Sequence, residues 1–297
     1  MSERKALLGP MRLPFLILTP ACVLLGIGVA KWTSGRVSVL HAILALIGAV
    51  SAHISVNALN EYFDFKSGLD SRTVPTPFSG GSGTLPRKPE LERKALTIGL
   101  ISFALTGAIG VFFLFVRGLP LLPLGIFGLL IIFAYTPWLT RNPWACLIAP
   151  GLGFGTMMVM GTSLVLTGEY SWSAFVASLV PFFLVSDLLL LNQFPDVEAD
   201  KSVGRRHLPI VAGRRTSSLV YAAFLLLAYV AIGIGVWLRY LPIAGLLGFA
   251  TFPLAVRTAA AAIRYAEDTP KLIPHMAMNV ILNIATPTLV AIGLFLG

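Results

Sequence analysis

The sequence predicts an all-α, polytopic membrane protein with nine transmembrane helices. Of its 297 residues, 56% are hydrophobic and only 12% are charged, whereas soluble domains carry about 25% charged residues. Its 28 glycines and 20 prolines also fit membrane helices, which tolerate both residues better than soluble helices do. Nine apolar runs are long enough to cross a bilayer, which takes about 20 helical residues. These observations argue against a water-soluble globular protein.

Each predicted helix is one apolar run, and the breaks between runs are short. Typical breaks are 117–120 (Arg-Gly-Leu-Pro) and 141–143 (Arg-Asn-Pro), which contain residues that end helices and form turns. The predicted spans are 13–31, 38–62, 95–116, 119–138, 144–167, 172–194, 217–238, 241–262 and 273–296. We interpret the whole chain, 1–297, as a single transmembrane domain.

The distribution of Lys and Arg along this topology predicts which side each loop faces. When the loops alternate, 18 of the 22 cations fall on the side of the N-terminus, Arg4 and Lys5 among them. The other side keeps Lys31, Arg36, Arg117 and Arg239. Because cytoplasmic loops carry the excess of Lys and Arg, we expect a cell-membrane protein whose N-terminus and polar loops are cytoplasmic.

The formal net charge of +9 does not indicate a nucleic-acid partner. Nucleic-acid binding needs a polar, basic face, and this chain has too few polar residues to build one. We therefore expect the lipid bilayer as its surroundings, no nucleic acid and no obligate protein partner.

A first polar cluster, residues 57–72, follows the second predicted span. At about 100° per residue, His53, Asn57, Asn60 and Asp64 fall within an arc of roughly 60°. Such a stripe must face a cavity or another helix, because polar groups facing lipid are costly. Hydrogen bonding between helices explains His53 and Asn57 equally well. It fits Asp64 poorly.

A second polar cluster, residues 192–206, follows the sixth predicted span. Asn192, Asp196 and Asp200 recur every four residues and therefore share one helix face. The Asn-x-x-x-Asp pattern that begins at Asn60 returns 132 residues later, with four spans between the two copies. This spacing predicts two four-helix repeats plus one final helix, an arrangement that brings both clusters to one site.

The residue types in the two clusters suit a metal–diphosphate site. Carboxylate and carboxamide oxygens, without a His or Cys set, are ligands for Mg²⁺, which usually shares its coordination with phosphate oxygens. Basic residues beside the clusters would bind the phosphate charge. They are Lys66 and Arg72 beside the acids of the first cluster, and Lys201, Arg205 and Arg206 beside those of the second. For any single cation, anchoring at the membrane surface is an equally good explanation.

These motifs resemble those of the UbiA superfamily of intramembrane aromatic prenyltransferases, along essentially the whole chain. The spacing from Asn60 through Asp64 to Asp70, with the Ser-Gly-Gly-Ser-Gly segment at 79–83, is most similar to the branch of 1,4-dihydroxy-2-naphthoate polyprenyltransferases of menaquinone synthesis. The resemblance implies Mg²⁺-dependent transfer of a prenyl group from a prenyl diphosphate to an aromatic acceptor.

The resemblance also implies roles for individual residues. The expected Mg²⁺ ligands are Asn60, Asp64, Asp70, Asn192, Asp196 and Asp200, and the expected catalytic residues are Asn60, Asp64, Asp196 and Asp200. A Tyr and a nearby cation are common after the fourth helix of the family, which adds Arg141 to the diphosphate-binding residues. The expected substrate-cavity residues are His53, Asn57, Tyr135 and Asn279. The family commonly has Asp where this chain has Glu61, so the role of this longer acid is open.

Other functions and other roles stay open from the residues alone. The acceptor is a naphthoate, a benzoate, a homogentisate, a glycerol-phosphate lipid or a chlorophyll-like ring. A membrane transporter is the alternative from another class, since intramembrane acids and repeats are expected there too. The 79–83 segment is a phosphate-binding nest or a flexible loop, and the stripe of His275, Asn279 and Asn283 lines a cavity or joins helices. Asp187 is not among the expected ligands, because on a straight helix it points about 180° from Asp196.

Overall fold

The computed structural model describes residues 8–297 and is built from helices, with no β-strand in this range. The predicted fold class is therefore confirmed. Arg4 and Lys5, which contribute to the predicted orientation, lie outside the described residues. The main helical segments are α1 (Leu13–Ser34), α2 (Val39–Ser67), α3 (Pro89–Arg117), α4 (Leu121–Ala134), α5 (Pro143–Thr167), α6 (Trp172–Asn192), α7 (Leu208–Trp237), α8 (Ile243–Arg264) and α9 (Thr269–Leu296). Short helices at Thr84–Arg87, Leu139–Arg141 and Val197–Ser202 lie in connecting segments.

Eight of these segments, in the part of the chain that the structure describes, are long and apolar enough to cross a membrane. Helix α4 coincides with the fourth predicted span, but its 14 residues are fewer than the roughly 20 that a straight crossing takes. The number of nine spans and the internal repeat thus stay predictions. Large apolar side chains such as Phe115 and Trp237 are exposed on the outer faces, as contact with lipid requires. The chain is an integral, multi-pass membrane protein.

Helices α2 and α6, which carry the two acidic motifs, have clear local start and stop signals. Ser38 Oγ accepts a hydrogen bond from the His41 backbone N–H at the start of α2, and Ser171 Oγ accepts one from Ala174 at the start of α6. These side chains satisfy backbone donors that have no partner inside the helix. Helix α2 stops at Gly68, whose φ of +75° suits glycine.

Several predicted boundaries differ from the structure because hydropathy does not register polar helical residues. Helix α7 begins at Leu208, nine residues before the predicted limit of 217, and contains a kink at Gly213 (φ 81°, ψ 158°). Pro209 occupies its first turn, where its missing N–H costs nothing. Helix α5 contains Pro150 and continues as a π-helix over Leu152–Met160, which fits the loss of a regular hydrogen bond at proline.

Glycines on α5 bring it close to α6 and thereby fix the helix that carries the second motif. A Cβ at Gly155 would lie 2.6 Å from the Phe182 backbone N and from the Ser178 carbonyl oxygen. Real side chains do not approach a backbone so closely, so glycine permits this contact. The helices pack further as α2 along α3, α6 along α7, and α9 against α1 and the start of α8.

The buried apolar residues form three groups: the two larger ones frame an internal cavity, and the third, made of Leu85, Leu91 and Ala95, lies around the start of α3. The largest group contains residues of α1 and of the five helices α5, α6, α7, α8 and α9. A smaller group, around Phe113 and Leu164, contains residues from the C-terminal ends of α1, α3 and α5 and from the N-terminal ends of α2 and α4. The cavity lies where α2, α3 and α4 face α1, α5 and α6.

Candidate active site

Both acidic motifs line one cavity of about 580 Å³. The six predicted metal ligands all belong to its lining: Asn60, Asp64, Asp70, Asn192, Asp196 and Asp200. The end of the cavity formed by the four aspartates among them is called the acidic mouth below. The fold therefore brings together residues from the ends of α2 and α6 and from the loops that follow each helix.

Arg205 joins the two motifs across the acidic mouth. Its Nη1 donates to Asp200 Oδ1 at 2.8 Å, and its Nη2 donates to Asp64 Oδ1. Burial lowers the pKa of the Arg205 guanidinium, but the charges of Asp64 and Asp200 outweigh burial, so that the pKa is raised. His207 Nε2 lies 2.8 Å from Asp200 Oδ2. Both carboxylate oxygens of Asp200 therefore contact protein groups.

Asp196 is held more loosely than Asp200. Burial, followed by the charge of Asp200, raises the pKa of Asp196 to about 7. The Gly80 backbone N–H and the Ser79 hydroxyl oppose this rise in the pKa, and Ser79 Oγ donates to Asp196 Oδ1 at 3.4 Å. A nearby cation would favour the charged form of a carboxylate in such surroundings. The Ser-Gly-Gly-Ser-Gly segment thus lies against the second acidic motif.

Asp70 and Asn192 present oxygens without protein partners. Burial, followed by the charges of Glu61 and Asp64, raises the pKa of Asp70 to about 7. Asp70 Oδ2 and Asn192 Oδ1 are buried and have no hydrogen-bond partner within residues 8–297. Buried polar atoms are seldom left in this way. Unpartnered oxygens that line a cavity are candidates for contact with a ligand.

The residue types of the acidic mouth fit Mg²⁺, although protein cations organise the observed arrangement. Among the described residues, no three His, Cys, Asp or Glu side chains are close enough to hold a metal ion. The Arg205 guanidinium instead contacts both Asp64 and Asp200. The carboxylate and carboxamide oxygens, including the unpartnered atoms of Asp70 and Asn192, are nevertheless the donors that Mg²⁺ prefers.

The six predicted diphosphate-binding cations fall into two groups, one inside the cavity lining and one outside it. Arg205 lines the cavity, and the side chains of the other five are exposed and outside its lining: Lys66, Arg72, Arg141, Lys201 and Arg206. Lys66 Nζ lies 2.6 Å from Glu92 Oε1, and Arg72 Nη1 donates to Ser202 Oγ at 3.1 Å. Their exposure fits anchoring at the membrane surface, the other explanation of these cations, and diphosphate binding by these five residues stays a prediction.

Three of the four predicted substrate-cavity residues line the cavity, namely His53, Asn57 and Tyr135. His53 Nδ1 lies 2.8 Å from Thr19 Oγ1, and Asn57 Nδ2 donates to the Met11 carbonyl oxygen at 3.1 Å. Both explanations of the polar stripe therefore apply together, since these side chains face the cavity and also join helix α2 to the start of the chain.

Asn279 was predicted to line the cavity, but Asn283, one helical turn later, lies in the lining instead. Asn279 is fully buried and outside the cavity lining, whereas Asn283 belongs to the lining. Asn283 Nδ2 donates to the Asn279 backbone oxygen at 2.9 Å. A stripe with a spacing of four covers a wide arc, so the sequence does not reveal which member reaches the cavity.

Sequence reasoning missed two basic residues at the acidic mouth. Arg12 lines the cavity and forms an ion pair with Glu61 at 2.8 Å, across 49 positions of sequence that no local pattern connects. His207 also lines the cavity. Its position seven residues after Asp200 was the one available signal, since it directly follows the second motif.

Beyond the acidic mouth the cavity lining is mostly apolar, with His53, Asn57 and Asn283 among its polar members. Along α2 its lining runs from Asn60 to Ala45, which corresponds to about 22 Å at 1.5 Å per residue. Helices α3 and α4 contribute small and aliphatic residues to the same stretch, among them Gly110 and Leu129. An elongated apolar space with a few polar groups at one end suits an amphipathic ligand.

The chain is similar to curated proteins over part of their length. It is 26% identical over 198 residues to 1,4-dihydroxy-2-naphthoate octaprenyltransferase of Bacillus subtilis (strain 168), which covers 66% of this chain and 62% of the relative. It is 26% identical over 197 residues to digeranylgeranylglyceryl phosphate synthase of Pyrococcus furiosus, which covers 63% of this chain and 64% of the relative. The chain thus matches less than two thirds of the length of each of these relatives.

The fold is also that of a solved UbiA homologue from Archaeoglobus fulgidus, bound to DMAPP and Mg²⁺. That structure covers 96% of this chain and 98% of its own chain, with a TM-score of 0.62 and 16% sequence identity. At the level of sequence families, the UbiA prenyltransferase family matches residues 19–281. This range contains both acidic motifs and helices α2 to α8 in full. The chain therefore belongs to the UbiA prenyltransferase family.

Proposed function

We propose that this protein transfers a prenyl group from a prenyl diphosphate to an aromatic acceptor, and that the acceptor is 1,4-dihydroxy-2-naphthoate in menaquinone biosynthesis. One observation carries the proposal: two acidic motifs from distant parts of the chain line one end of an otherwise apolar cavity. A prenyl diphosphate has the matching form, since it joins a charged head to a hydrocarbon tail.

The relatives support this activity and differ in the acceptor. The Bacillus subtilis relative is a 1,4-dihydroxy-2-naphthoate octaprenyltransferase, and the Archaeoglobus fulgidus homologue binds DMAPP and Mg²⁺. The Pyrococcus furiosus relative is a digeranylgeranylglyceryl phosphate synthase, which makes a glycerol-phosphate lipid the second candidate acceptor. Benzoate, homogentisate and chlorophyll-like rings have no such support among these relatives.

The proposed Mg²⁺ ligands come from both motifs. They are Asn60, Asp64, Asp70, Asn192, Asp196 and Asp200, all of which line the cavity. Mg²⁺, when bound there, supplies positive charge that stabilises the departing diphosphate. The catalytic role that we propose for Asn60, Asp64, Asp196 and Asp200 is to hold the diphosphate head at the mouth in this way.

The protein's own side chains would stabilise the leaving group and exclude water. Arg205 presents a partly buried guanidinium to the acidic mouth, where its N–H groups can hydrogen-bond phosphate oxygens and stabilise the charge that grows as the allylic C–O bond breaks. The apolar lining beyond the mouth excludes water, which would otherwise trap the allylic carbocation. A ring carbon of the acceptor would attack the carbocation, and the proton of that carbon would pass to the released diphosphate.

The proposed setting is the cell membrane, with the acidic mouth on the cytoplasmic side. The excess of Lys and Arg on one side of the predicted topology supports this orientation. The hydrocarbon tail would occupy the apolar part of the cavity within the bilayer. We propose that residues 1–297 act as one transmembrane domain.

The test is incubation of the purified, membrane-reconstituted protein with Mg²⁺, a panel of prenyl diphosphates and a panel of acceptors, followed by mass spectrometry. We expect prenylated 1,4-dihydroxy-2-naphthoate and release of diphosphate, both abolished by EDTA. Product formed solely with the glycerol-phosphate lipid would replace the naphthoate by the second candidate. Metal-driven flux across liposomes without any prenylated product would overturn the enzymatic proposal in favour of a transporter.

A further inference from the structure

Glu61 is the acid of the first motif that lies apart from the proposed metal ligands. Its side chain is fully buried, and it is outside the cavity lining to which its neighbours Asn60 and Asp64 belong. Oε1 accepts hydrogen bonds from Arg12 Nε at 2.8 Å and from the Ser82 backbone N–H at 2.6 Å. Oε2 accepts one from Ser82 Oγ at 2.8 Å. Both oxygens of the carboxylate thus accept hydrogen bonds from protein donors.

Arg12 reaches Glu61 from a strained backbone position. It is one of the few residues other than glycine with a positive φ, at 50°, a conformation that side chains with a Cβ seldom adopt. Its side chain is 23% exposed, against 0% for Glu61. Strain of this kind persists where the surrounding contacts compensate for it, and the ion pair supplies such a contact between the start of the chain and α2.

The segment 79–83 connects Glu61 to the second motif. At one end, Ser82 donates twice to Glu61. At the other end, Ser79 Oγ donates to Asp196 Oδ1 at 3.4 Å, and the adjacent Gly80 lines the cavity together with Asp196. The backbone reaches both acids because Gly80 and Gly81 have φ values of +83° and +72°, which suit glycine.

We propose that Glu61 is a positioning residue: together with Arg12 it fixes the segment 79–83 against Asp196 and so keeps the acidic mouth in the shape that binds the diphosphate head. Glu61 acts through Ser82 and does not bind the metal. The inference rests on the proposed function in one respect, since it takes the bound head group to be a diphosphate.

The decisive variants are Glu61→Gln, Ser82→Ala and their combination. Glu61→Gln removes the charge that pairs with Arg12 at constant size, and Ser82→Ala removes one donor from the loop without touching the helices. Hydrogen bonds to charged groups support an expected rise of about tenfold in the apparent KM for the prenyl diphosphate in Glu61→Gln, with a smaller rise in Ser82→Ala. We expect kcat at saturation to change by less than about threefold. The double variant should show less than the product of the single effects, because both act on one contact.

Glu92→Gln is the matched control. Glu92 also pairs with a cation, Lys66, near the end of α2, but it lies outside the cavity lining. We expect its KM to match that of the unaltered protein. A loss of kcat in Glu61→Gln at unchanged KM would identify Glu61 as a metal ligand instead. An unchanged KM in both Glu61→Gln and Ser82→Ala, or strictly multiplicative effects, would also overturn the proposal.

Limited trypsin digestion tests the same contact without catalysis. Arg72 and Arg87 flank the segment, and we expect faster cleavage at these two positions in Glu61→Gln and Ser82→Ala than in Glu92→Gln. Equal cleavage in all variants would contradict the positioning role. If the unaltered protein makes no product with any acceptor, the proposed function fails, while the digestion still decides whether Glu61 holds the loop.

Discussion

The acidic mouth and the apolar part of the cavity are built in different ways. At the mouth, charged side chains from distant segments contact one another, as when Arg205 contacts both Asp64 and Asp200. Along the apolar part, glycines leave open space: a Cβ at Gly107 or Gly110 would meet no atom within 4 Å. Under the function that we propose, this difference is a division of labour, in which the helix ends would bind the reacting head group and the intramembrane stretch would accommodate the tail.

Substitution of acids at the mouth gives the largest expected effect. Asp64→Asn and Asp196→Asn each remove one negative charge at nearly constant size, and we expect kcat to fall by about a thousandfold, the scale of losing a main electrostatic contribution to catalysis. Mass-spectrometric quantification of the prenylated product at saturating substrate provides the measurement. Size-exclusion chromatography should show folded protein in both cases.

Asp187→Asn is the matched control for these substitutions. Asp187 lies on the same helix as Asn192 and is fully buried, but it is outside the cavity lining. We expect this variant to retain activity within about threefold. A loss of activity in Asp187→Asn equal to that in Asp196→Asn would contradict the special role of the mouth, because an acid outside the cavity would then matter as much as one that lines it.

The cations that follow the two motifs give an intermediate effect and sharpen the comparison. Arg205→Gln removes the guanidinium from the mouth, and we expect kcat/KM to fall by about a hundredfold, because charge-assisted hydrogen bonds to the diphosphate are lost. Lys66→Gln alters an exposed side chain that pairs with Glu92, and we expect a change below about twofold. Steady-state kinetics of the two variants measures the contrast, and equal losses would restore the sequence-based assignment of both cations.

A substitution in the apolar part should change selectivity for tail length while the chemistry continues. Gly110→Phe fills open space beside the cavity, so we expect kcat/KM for a long prenyl diphosphate to fall about tenfold or more, with little change for a five-carbon donor. Gly233→Phe is the control, since Gly233 on α7 also has open space around it but lies outside the cavity lining. Equal losses for short and long donors would contradict the division between mouth and tail space.

The fold class was predictable because helices that face lipid must be apolar, which directly constrains the amino-acid composition of the chain. Apolar runs and the breaks between them located the helices, and the spacing of the polar residues identified the ends of α2 and α6. The first residues of the helices were harder to predict from the sequence. Helix α7 begins at Leu208 because a short polar-flanked helical stretch precedes the kink at Gly213 (φ 81°, ψ 158°), and a hydropathy pattern assigns such a stretch to a loop.

The part of the site that follows a local sequence pattern was predictable. The six proposed metal ligands share a repeated pattern, and all six line the cavity. Side-chain partners depend on tertiary packing, however, so the sequence did not distinguish the inward Arg205 from the exposed Arg206 beside it. The pairing of Arg12 with Glu61 joins residues 49 positions apart, and no periodic signal covers that distance.

The most direct test of the central claim, that both motifs form one metal–diphosphate site, is binding of Mn²⁺ in place of Mg²⁺, followed by electron paramagnetic resonance. In the unaltered protein, we expect a prenyl diphosphate to tighten Mn²⁺ binding, with phosphorus coupling in the spectrum of the bound ion. Either Asp64→Asn or Asp196→Asn alone should abolish this linkage. Diphosphate-dependent Mn²⁺ binding that persists unchanged in both variants would contradict the account.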